Sequence, residues 1–186
     1  MTVDDMALLP PDVGRYELVG GRVELSHPQV LWHARAVSRL AYAVGLRAPR
    51  GLEVLFAPVV IFNDERTHCR RPDLTVFSRD AWAEPWLASP PLLAVEVASA
   101  ETAARDYRQK FFEYAEFGIP AYWIIGPDKH WPAIDEFRLD DGEYRHVQQI
   151  AGEDAFATDF PFPLRLVPHW LFADGPWRER ISGEGA

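Results

Sequence analysis

The sequence predicts an α/β fold in which helices flank a mixed central β-sheet. Two observations carry this prediction. Residues 52–62 and 71–77 are β-rich runs separated by a turn, which favours an antiparallel pair of strands. Residues 92–98 and 121–125 are apolar runs separated by a helical pattern, and a helical crossover of this kind joins parallel strands. A sheet that contains both kinds of pair is mixed.

An added β-hairpin is predicted near the N-terminus. It follows residues 1–13, whose polar and proline-containing sequence indicates a loose leading segment. Residues 15–19 and 22–25 flank Gly20 and Gly21, and paired glycines supply the positive φ angles of a two-residue turn.

A helix is predicted next, from Pro28 to Gly45, because proline and glycine are common at these two ends of a helix. Its apolar residues recur at helical spacing, which indicates one buried stripe. The stripe consists of Val30, Ala34, Val37, Ala41 and Val44.

The rest of the chain continues this alternation of strands and helices. Pro58 interrupts the run 52–62 and indicates a sheet edge or a bulge. Ser99 is suited to cap a helix that continues to residue 117 and ends at Gly118. The other expected features are a turn at 63–67, a connection at 78–91, a hairpin formed by 134–139 and 144–149, and a tail from residue 160 that packs on the domain, with a short helix near Trp170.

Length and composition indicate one folded domain, residues 1–186. A chain of 186 residues with 48% hydrophobic and 13% aromatic content can bury a proper core. Cys69 is the only cysteine, so an intrachain disulfide and a cysteine-based metal site are excluded. The sequence has no apolar run long enough to span a bilayer and no signal peptide at Met1, which together predict a cytoplasmic protein without a membrane partner.

The formal net charge of −9 bears on the choice of partner. Proteins that bind nucleic acid usually present a basic surface, because neutralising phosphates dominates their affinity. Here the arginines are scattered, with small groups at residues 66–71 and 105–108 that could line one cleft or lie on a solvated surface.

Two carboxylates accompany the apolar runs. Asp73 begins the run that ends at residue 77, and Glu96 lies between Val95 and Val97. A buried carboxylate is costly unless it is paired, neutralised or bound to a cation. Glu96 therefore requires either a structural ion pair or a metal. Asp73, taken alone, is better explained as a strand-start or turn residue after proline.

Five phrases in the sequence occur in one order and together resemble a known family. They are Tyr16-Glu17-Leu18, Arg71-Pro72-Asp73, Val95-Glu96-Val97-Ala98-Ser99, the segment from Asp106 to Lys110, and Gly118-Ile119-Pro120-Ala121-Tyr122-Trp123. The set resembles the PD-(D/E)-x-K nuclease superfamily and, within it, the Uma-two family of restriction-endonuclease-like proteins. The general pattern has a lysine two residues after the acid, where this chain has Ala98. In this family the lysine is moved to the following helix, as Lys110.

The resemblance implies a restriction-endonuclease-like fold and a metal-dependent endonuclease acting on DNA. Asp73, Glu96 and the carbonyl oxygen of Val97 would hold Mg²⁺ or Mn²⁺, which prefer such oxygen ligands. Lys110 would orient the attacking water or stabilise charge on phosphorus. Glu17 would be an auxiliary acid of the same site.

Each assignment has a simpler alternative. Lys110 could be an exposed helix lysine that pairs with Asp106 four residues earlier. Glu17 could lie on the solvated face of an alternating strand, and His33 could be a histidine at the edge of the core rather than part of the site. Tyr114 is expected in the core.

Two further functions compete with the nuclease. One is a binding or structural protein that keeps the fold without catalysis, which the acidic charge favours. The other is hydrolysis of a different phosphate-containing substrate. A double-strand cutter would need two active sites on opposite strands, and a homodimer would provide them.

Overall fold

A computed structural model of the protein describes residues 1–6, 8, 16–25, 30–81, 85–126 and 128–183. Within these residues the helices are α1 Val3–Met6, α2 Leu31–Arg47, α3 Lys110–Phe117, α4 His169–Phe172 and α5 Trp177–Arg180, with a 3₁₀ turn at Arg79–Ala81 and a π-helical segment at Arg105–Gln109. The strands are β1 Tyr16–Val19, β2 Arg22–Leu25, β3 Leu52–Phe56, β4 Val60–Ile61, β5 Cys69–Arg70, β6 Leu74–Ser78, β7 Leu93–Val97, β8 Ala121–Ile125, β9 Ala133–Asp140, β10 Glu143–Ala151, β11 Phe156–Thr158 and β12 Leu164–Leu166.

The central sheet is mixed, as predicted. Its six strands follow the order β10-β9-β8-β7-β6-β3. Strands β7 and β8 are parallel because a helix connects them, and the other neighbours are antiparallel. The predicted hairpin of β9 and β10 forms one side of the sheet and contains a bulge between His146 and Gln148.

The predicted N-terminal hairpin is present and belongs to a second sheet. Strands β1 and β2 pair with Val19 opposite Arg22, so Gly20 and Gly21 form a two-residue turn. Their φ angles are +55° and +77°, which glycine adopts without strain. The sheet has the order β2-β1-β5-β4 and therefore includes two short strands beyond the hairpin. Residues 14 and 15 lie outside the described residues.

Two prolines move the chain from one sheet to the other. The run predicted at 52–62 is two strands, because Ala57 with a φ of 42° and Pro58 separate β3 in the central sheet from β4 in the second sheet. The run predicted at 71–77 likewise begins later, at β6, since Pro72 has no N–H for a sheet ladder. Strands β3 and β6 are antiparallel, as expected. Asp73 consequently lies where the chain enters the central sheet.

Helix α2 covers one face of the central sheet, but its buried stripe differs from the predicted one. Val37 and Val44 are buried as expected, whereas Val30 is 50% exposed and precedes the helix. The buried residues of the helix are Ala36, Val37, Arg39, Leu40, Ala43 and Val44. The helix also continues past Gly45 and ends at Arg47, two residues before Pro49. Pro28, the predicted start, lies outside the described residues.

The helix after β7 covers the opposite face and contains a feature that the sequence does not predict. Thr102 donates its backbone N–H to the Ser99 hydroxyl, and Gly118 ends α3 with a φ of +87°, so both predicted boundaries are confirmed. Between them, residues 105–109 are π-helical, and the N–H of Lys110 donates to the carbonyl of Arg105. Such π-helical turns are frequent at functional sites.

Both ends of the chain pack on this framework. Within the segment expected to be loose, Val3–Met6 form α1, because Val3 is buried and its N–H donates to the carbonyl of Arg66 at 2.9 Å. Residues 7 and 9–13 lie outside the described part. The C-terminal tail contributes Phe162, Leu166 and Leu171 to the core under α2, and α4 contains Trp170 as predicted. Within the described ranges, no helix is long and apolar enough to cross a membrane.

Candidate active site

Glu96 lies in the middle of the fold and faces the helix that follows its strand. Side chains alternate along β7, so Ala94 and Ala98 pack in the core under α3 and Glu96 points to that side between them. Its carboxylate is only 5% exposed. The Tyr114 hydroxyl donates to Oε1 of Glu96 at 2.6 Å, and the ammonium nitrogen of Lys110 is 2.8 Å from the same oxygen.

Lys110 is buried, so its description as an exposed helix lysine is wrong. Its side chain is 3% exposed, and its ammonium lies among three carboxylates. The distances to Glu96, Asp106 and Glu17 are 2.8, 3.5 and 3.8 Å. The expected proximity to Asp106 is correct, but it is one part of a larger group. We call Glu17, Glu96, Asp106 and Lys110 the Lys110 cluster.

The Lys110 cluster carries more negative than positive charge. Burial raises the pKa of Glu96, Lys110 opposes this effect, and Asp73, Asp106 and Glu17 add to it, so that the pKa is about 8. Burial alone would lower the pKa of Lys110, but the surrounding carboxylates raise it above its usual range. Burial is thus the largest cause of the raised pKa of Glu96, and the neighbouring carboxylates add to it. For Lys110 those carboxylates outweigh the effect of burial, so their negative charge favours the protonated form of both groups.

Asp73 reaches the same strand from its neighbour. In the register of β6 and β7, Leu74 is opposite Val95, which places Asp73 beside Glu96 and Val97. Oδ2 of Asp73 accepts a hydrogen bond from the backbone N–H of Val97 at 2.8 Å, just beyond the last backbone pair of β6 and β7. The predicted residues Asp73, Glu96 and Lys110 are thus brought together around the C-terminal end of β7.

His33 extends this arrangement towards α2. Its Nε2 is 3.1 Å from Oδ1 of Asp73, and both side chains are nearly buried. The contact exists because His33 lies in the first turn of α2, close to the point where Asp73 enters the central sheet. The sequence left the position of His33 open, and the structure places it against a predicted site residue.

Glu17 belongs to the buried cluster rather than to a solvated strand face. Its side chain is 2% exposed. One oxygen accepts from the guanidinium of Arg70 and the other from the backbone N–H of Arg71, each at 3.0 Å. Burial alone would raise the pKa of Glu17, but the nearby Lys110 and Arg70 charges lower it below its ordinary value.

Arg70 is the main residue that sequence reasoning missed. The sequence groups Arg70 with arginines that line a cleft or lie on a solvated surface, but its side chain is fully buried. Its guanidinium binds both oxygens of Glu113 on α3, at 2.7 and 2.9 Å, and also reaches Glu17 and Glu24. Arg70 therefore joins the second sheet to α3 and fixes Glu17 beside Lys110. The spacing of the sequence gives no signal for Arg70, because its partners Glu113, Glu24 and Glu17 are 43, 46 and 53 residues away.

The side chains around Glu96 suit a hard divalent cation. Oδ1 of Asp106 is buried, accepts no hydrogen bond among the described residues and lies 3.5 Å from the Lys110 ammonium. Carboxylate oxygens with surplus negative charge are the ligands that Mg²⁺ and Mn²⁺ prefer. In the described part of the chain, no group of three or more His, Cys, Asp and Glu side chains is arranged to hold a metal. The predicted set is smaller, with two carboxylates and one backbone carbonyl.

Comparison with known proteins gives one family and one fold. The family model "Uma2: Putative restriction endonuclease" matches residues 3–167 of the chain. A similar solved structure is described as a putative nuclease belonging to DUF820 from Anabaena variabilis ATCC 29413. It is 15% identical with a TM-score of 0.66, covering 87% of this chain and 89% of that one. No curated protein matches the chain. The structural likeness confirms the predicted restriction-endonuclease-like fold.

Proposed function

The chain belongs to the Uma2 restriction endonuclease family, and we propose that it is a metal-dependent endonuclease that hydrolyses phosphodiester bonds in DNA. The observation that carries this proposal is the surplus of negative charge around the buried Glu96–Lys110 contact, with Asp73 bonded to the next backbone N–H. A structural ion pair needs only one carboxylate for one ammonium. A site that binds a metal cation needs additional negative charge, as is found here.

Asp73, Glu96 and the Val97 carbonyl would hold Mg²⁺ or Mn²⁺, which supplies activation of water and neutralisation of charge on phosphorus. The protein contributes the positions of these groups. Tyr114 fixes one oxygen of Glu96, and His33 fixes one oxygen of Asp73. Lys110 keeps a positive charge beside Glu96, where it can orient the attacking water or stabilise the developing phosphate charge.

Glu17 and Arg70 support Lys110 from the other side. Glu17 forms ion pairs with both Arg70 and Lys110, and Arg70 forms another ion pair with Glu113. Both are positioning residues in this proposal, because their charges are taken up by protein partners. Cleavage of both strands of a duplex would require a second site, which a homodimer would supply.

The net charge of −9 favours one competing function, a protein that keeps this fold and binds a partner without hydrolysis. Such a protein could retain Lys110 purely as a buried ion-pair partner. Neither the wild type nor a Glu96 variant of such a protein would cleave nucleic acid.

The test is a cleavage assay on supercoiled, linear and single-stranded DNA, with Mg²⁺, Mn²⁺ or EDTA. We compare the wild type with Glu96→Gln and with Glu136→Gln, which alters a buried acid on β9. We expect metal-dependent cleavage by the wild type and by Glu136→Gln, and none by Glu96→Gln. Cleavage in EDTA, or cleavage that survives Glu96→Gln, would refute the proposed site.

A further inference from the structure

Arg105 is a cation beside the Lys110 cluster to which the proposed function assigns no role. It lies in the π-helical segment, directly before Asp106, and its carbonyl accepts a hydrogen bond from the backbone N–H of Lys110. Its side chain is half-buried. Although burial acts to raise the pKa of Glu17, Arg105 is one of the nearby charges that together lower it. Arg105 therefore lies at the edge of the same group of charges and is partly open to solvent.

The guanidinium of Arg105 is not held by the carboxylates of the cluster. Its Nε is buried and donates no hydrogen bond within the described part of the chain. The cluster carboxylates pair with Lys110 and Arg70 instead. A buried donor of a charged group that makes no hydrogen bond is costly and requires an explanation, and a bound anion provides one.

Two hydrogen bonds fix the segment around Arg105 to the central sheet. The Tyr122 hydroxyl, on β8, donates to the carbonyl of Asp106 at 3.1 Å. The Tyr107 hydroxyl donates to the Asp135 carboxylate, on β9, at 2.6 Å. The backbone that carries Arg105 is thus set in place by protein contacts, as a ligand-binding residue requires.

A phosphodiester is the anion that suits this arrangement. A guanidinium presents planar donors that match two phosphate oxygens. The charge of Lys110 is already shared by three carboxylates, so Lys110 alone attracts a phosphate weakly. An anion that enters a site with surplus negative charge needs a cation that the carboxylates have not taken up, and Arg105 is such a cation.

We propose that Arg105 binds the DNA phosphodiester that enters the candidate active site, an inference that rests on the proposed nuclease function. The competing role is structural, in which Arg105 only offsets the charge of Glu17. A structural Arg105 would contribute to stability without touching DNA. The experiments below measure contact with DNA, which the structural role would leave unchanged.

The first test maps the contact chemically. Phenylglyoxal modifies guanidinium groups and reacts slowly with those held in ion pairs. We treat the protein in EDTA, with and without excess oligonucleotide, and quantify the modification of each arginine by peptide mass spectrometry. The oligonucleotides contain only thymine and adenine, since phenylglyoxal also modifies guanine. Arg108, an exposed arginine of the same segment, is the internal control.

We expect Arg105 to react faster than Arg70, which is held by three carboxylates. DNA should slow the modification of Arg105 and leave that of Arg108 unchanged. Modification of Arg105 at the same rate with and without DNA, or an Arg105 as unreactive as Arg70, would overturn the proposal.

The second test measures binding of a fluorescent oligonucleotide in EDTA at several salt concentrations. We compare wild type, Arg105→Ala, Arg105→Lys and Arg108→Ala, after thermal melts have shown that each is folded. Loss of one phosphate contact reduces the slope of log affinity against log salt by about 0.7–0.9.

We expect Arg105→Ala to weaken binding at least about tenfold, the scale of a hydrogen bond to a charged group, and to reduce the salt slope. Arg105→Lys should keep the slope with a smaller loss of affinity, because lysine keeps the charge but not the paired donors. Arg108→Ala should bind like the wild type. Wild-type affinity and slope in Arg105→Ala would leave Arg105 with the structural role alone.

These tests separate the two proposals. Both are done without divalent metal, so they report on the phosphate contact, whereas the cleavage assay reports on Glu96. Protection of Arg105 by DNA without any cleavage would uphold the contact and refute the nuclease. Metal-dependent cleavage by a protein whose Arg105 is not protected would do the reverse.

Discussion

Two groups of buried acids lie on the central sheet, and they differ in how their charges are compensated. One is the Lys110 cluster around β7. The other, which we call the β9 cluster, consists of Asp135 and Glu136 on β9, which are 5% and 0% exposed. Since both groups are buried to the same degree, burial alone does not identify a functional acid.

In the β9 cluster each carboxylate has its own donors. Glu136 accepts from the Arg138 guanidinium, the Gln148 amide and the Thr158 hydroxyl, each at 2.7 Å in its shortest contact. Asp135 accepts from the Tyr107 hydroxyl at 2.6 Å and the Gln149 amide at 2.8 Å. Complete satisfaction of this kind is what a structural role requires.

In the Lys110 cluster three carboxylates share one ammonium. Arg70 also binds Glu17, but its guanidinium is divided between Glu17, Glu24 and Glu113. Oδ1 of Asp106 accepts no hydrogen bond among the described residues and lies 3.5 Å from the shared ammonium of Lys110. The difference shows that incomplete compensation, rather than burial, distinguishes a candidate cation site on this sheet. The predictions below test that distinction.

The largest effect is expected for Lys110→Met. It removes the ammonium from three buried carboxylates, and loss of one partner of a buried ion pair typically costs about 3–5 kcal/mol of unfolding free energy. Urea unfolding in EDTA measures this loss, and DNA cleavage should also disappear. Lys129→Met is the matched control, since an exposed lysine should change stability by less than about 0.5 kcal/mol. Equal stability of the two variants would show that Lys110 is not needed to compensate the cluster.

A smaller effect is expected for Glu136→Gln. The amide cannot pair with the Arg138 charge, and the loss of hydrogen bonds to a charged group costs about 1–3 kcal/mol. The β9 cluster has no function in this account, so DNA cleavage should keep its wild-type rate once the protein is folded. Urea unfolding together with the cleavage assay checks both parts. A Glu136→Gln variant that is folded but does not cleave DNA would show that Glu136 contributes to activity, contrary to this account.

The pH dependence of stability should reveal Glu96. Its folded pKa is about 8, above its ordinary value of 4.5, so the folded state holds a proton that the unfolded chain has released. In EDTA, stability should therefore fall as pH rises from about 4.5 to about 8, by at most about 1.4 kcal/mol per pH unit. Thermal melts between pH 5 and pH 8.5 measure this slope, and Glu96→Gln should flatten it. An unchanged slope in the variant would assign the proton to another group.

Local patterns in the sequence were sufficient to predict the strands and helices around the site. Alternation and apolar runs place Glu96 inside a buried strand, Ser99 and Gly118 bound the next helix, and Gly20-Gly21 forms the expected turn. These features depend on residues close together in the chain, so secondary-structure propensity and residue spacing are enough to predict them.

The features that were missed depend on contacts between distant segments. Lys110 is buried because the π-helical segment and Glu17, 93 residues earlier, enclose it, and a helical pattern alone cannot show this. Arg70 resembles a surface arginine until Glu113 and Glu17 are brought to it by folding. The buried stripe of α2 was also misplaced, since Arg39 is buried by hydrogen bonds to carbonyls of the C-terminal tail.

The central claim is that the surplus charge of the Lys110 cluster is a cation site. The most direct measurement is the melting temperature of wild type, Glu96→Gln and Glu136→Gln, in EDTA and in millimolar Mg²⁺ or Mn²⁺. A metal that binds only the folded state stabilises it. We predict that metal raises the melting temperature of the wild type and of Glu136→Gln equally. Glu96→Gln should be more stable than the wild type in EDTA and should not respond to metal. Destabilisation by Glu96→Gln in EDTA, with an unchanged metal response, would instead make Glu96 a structural partner of Lys110 and contradict the claim.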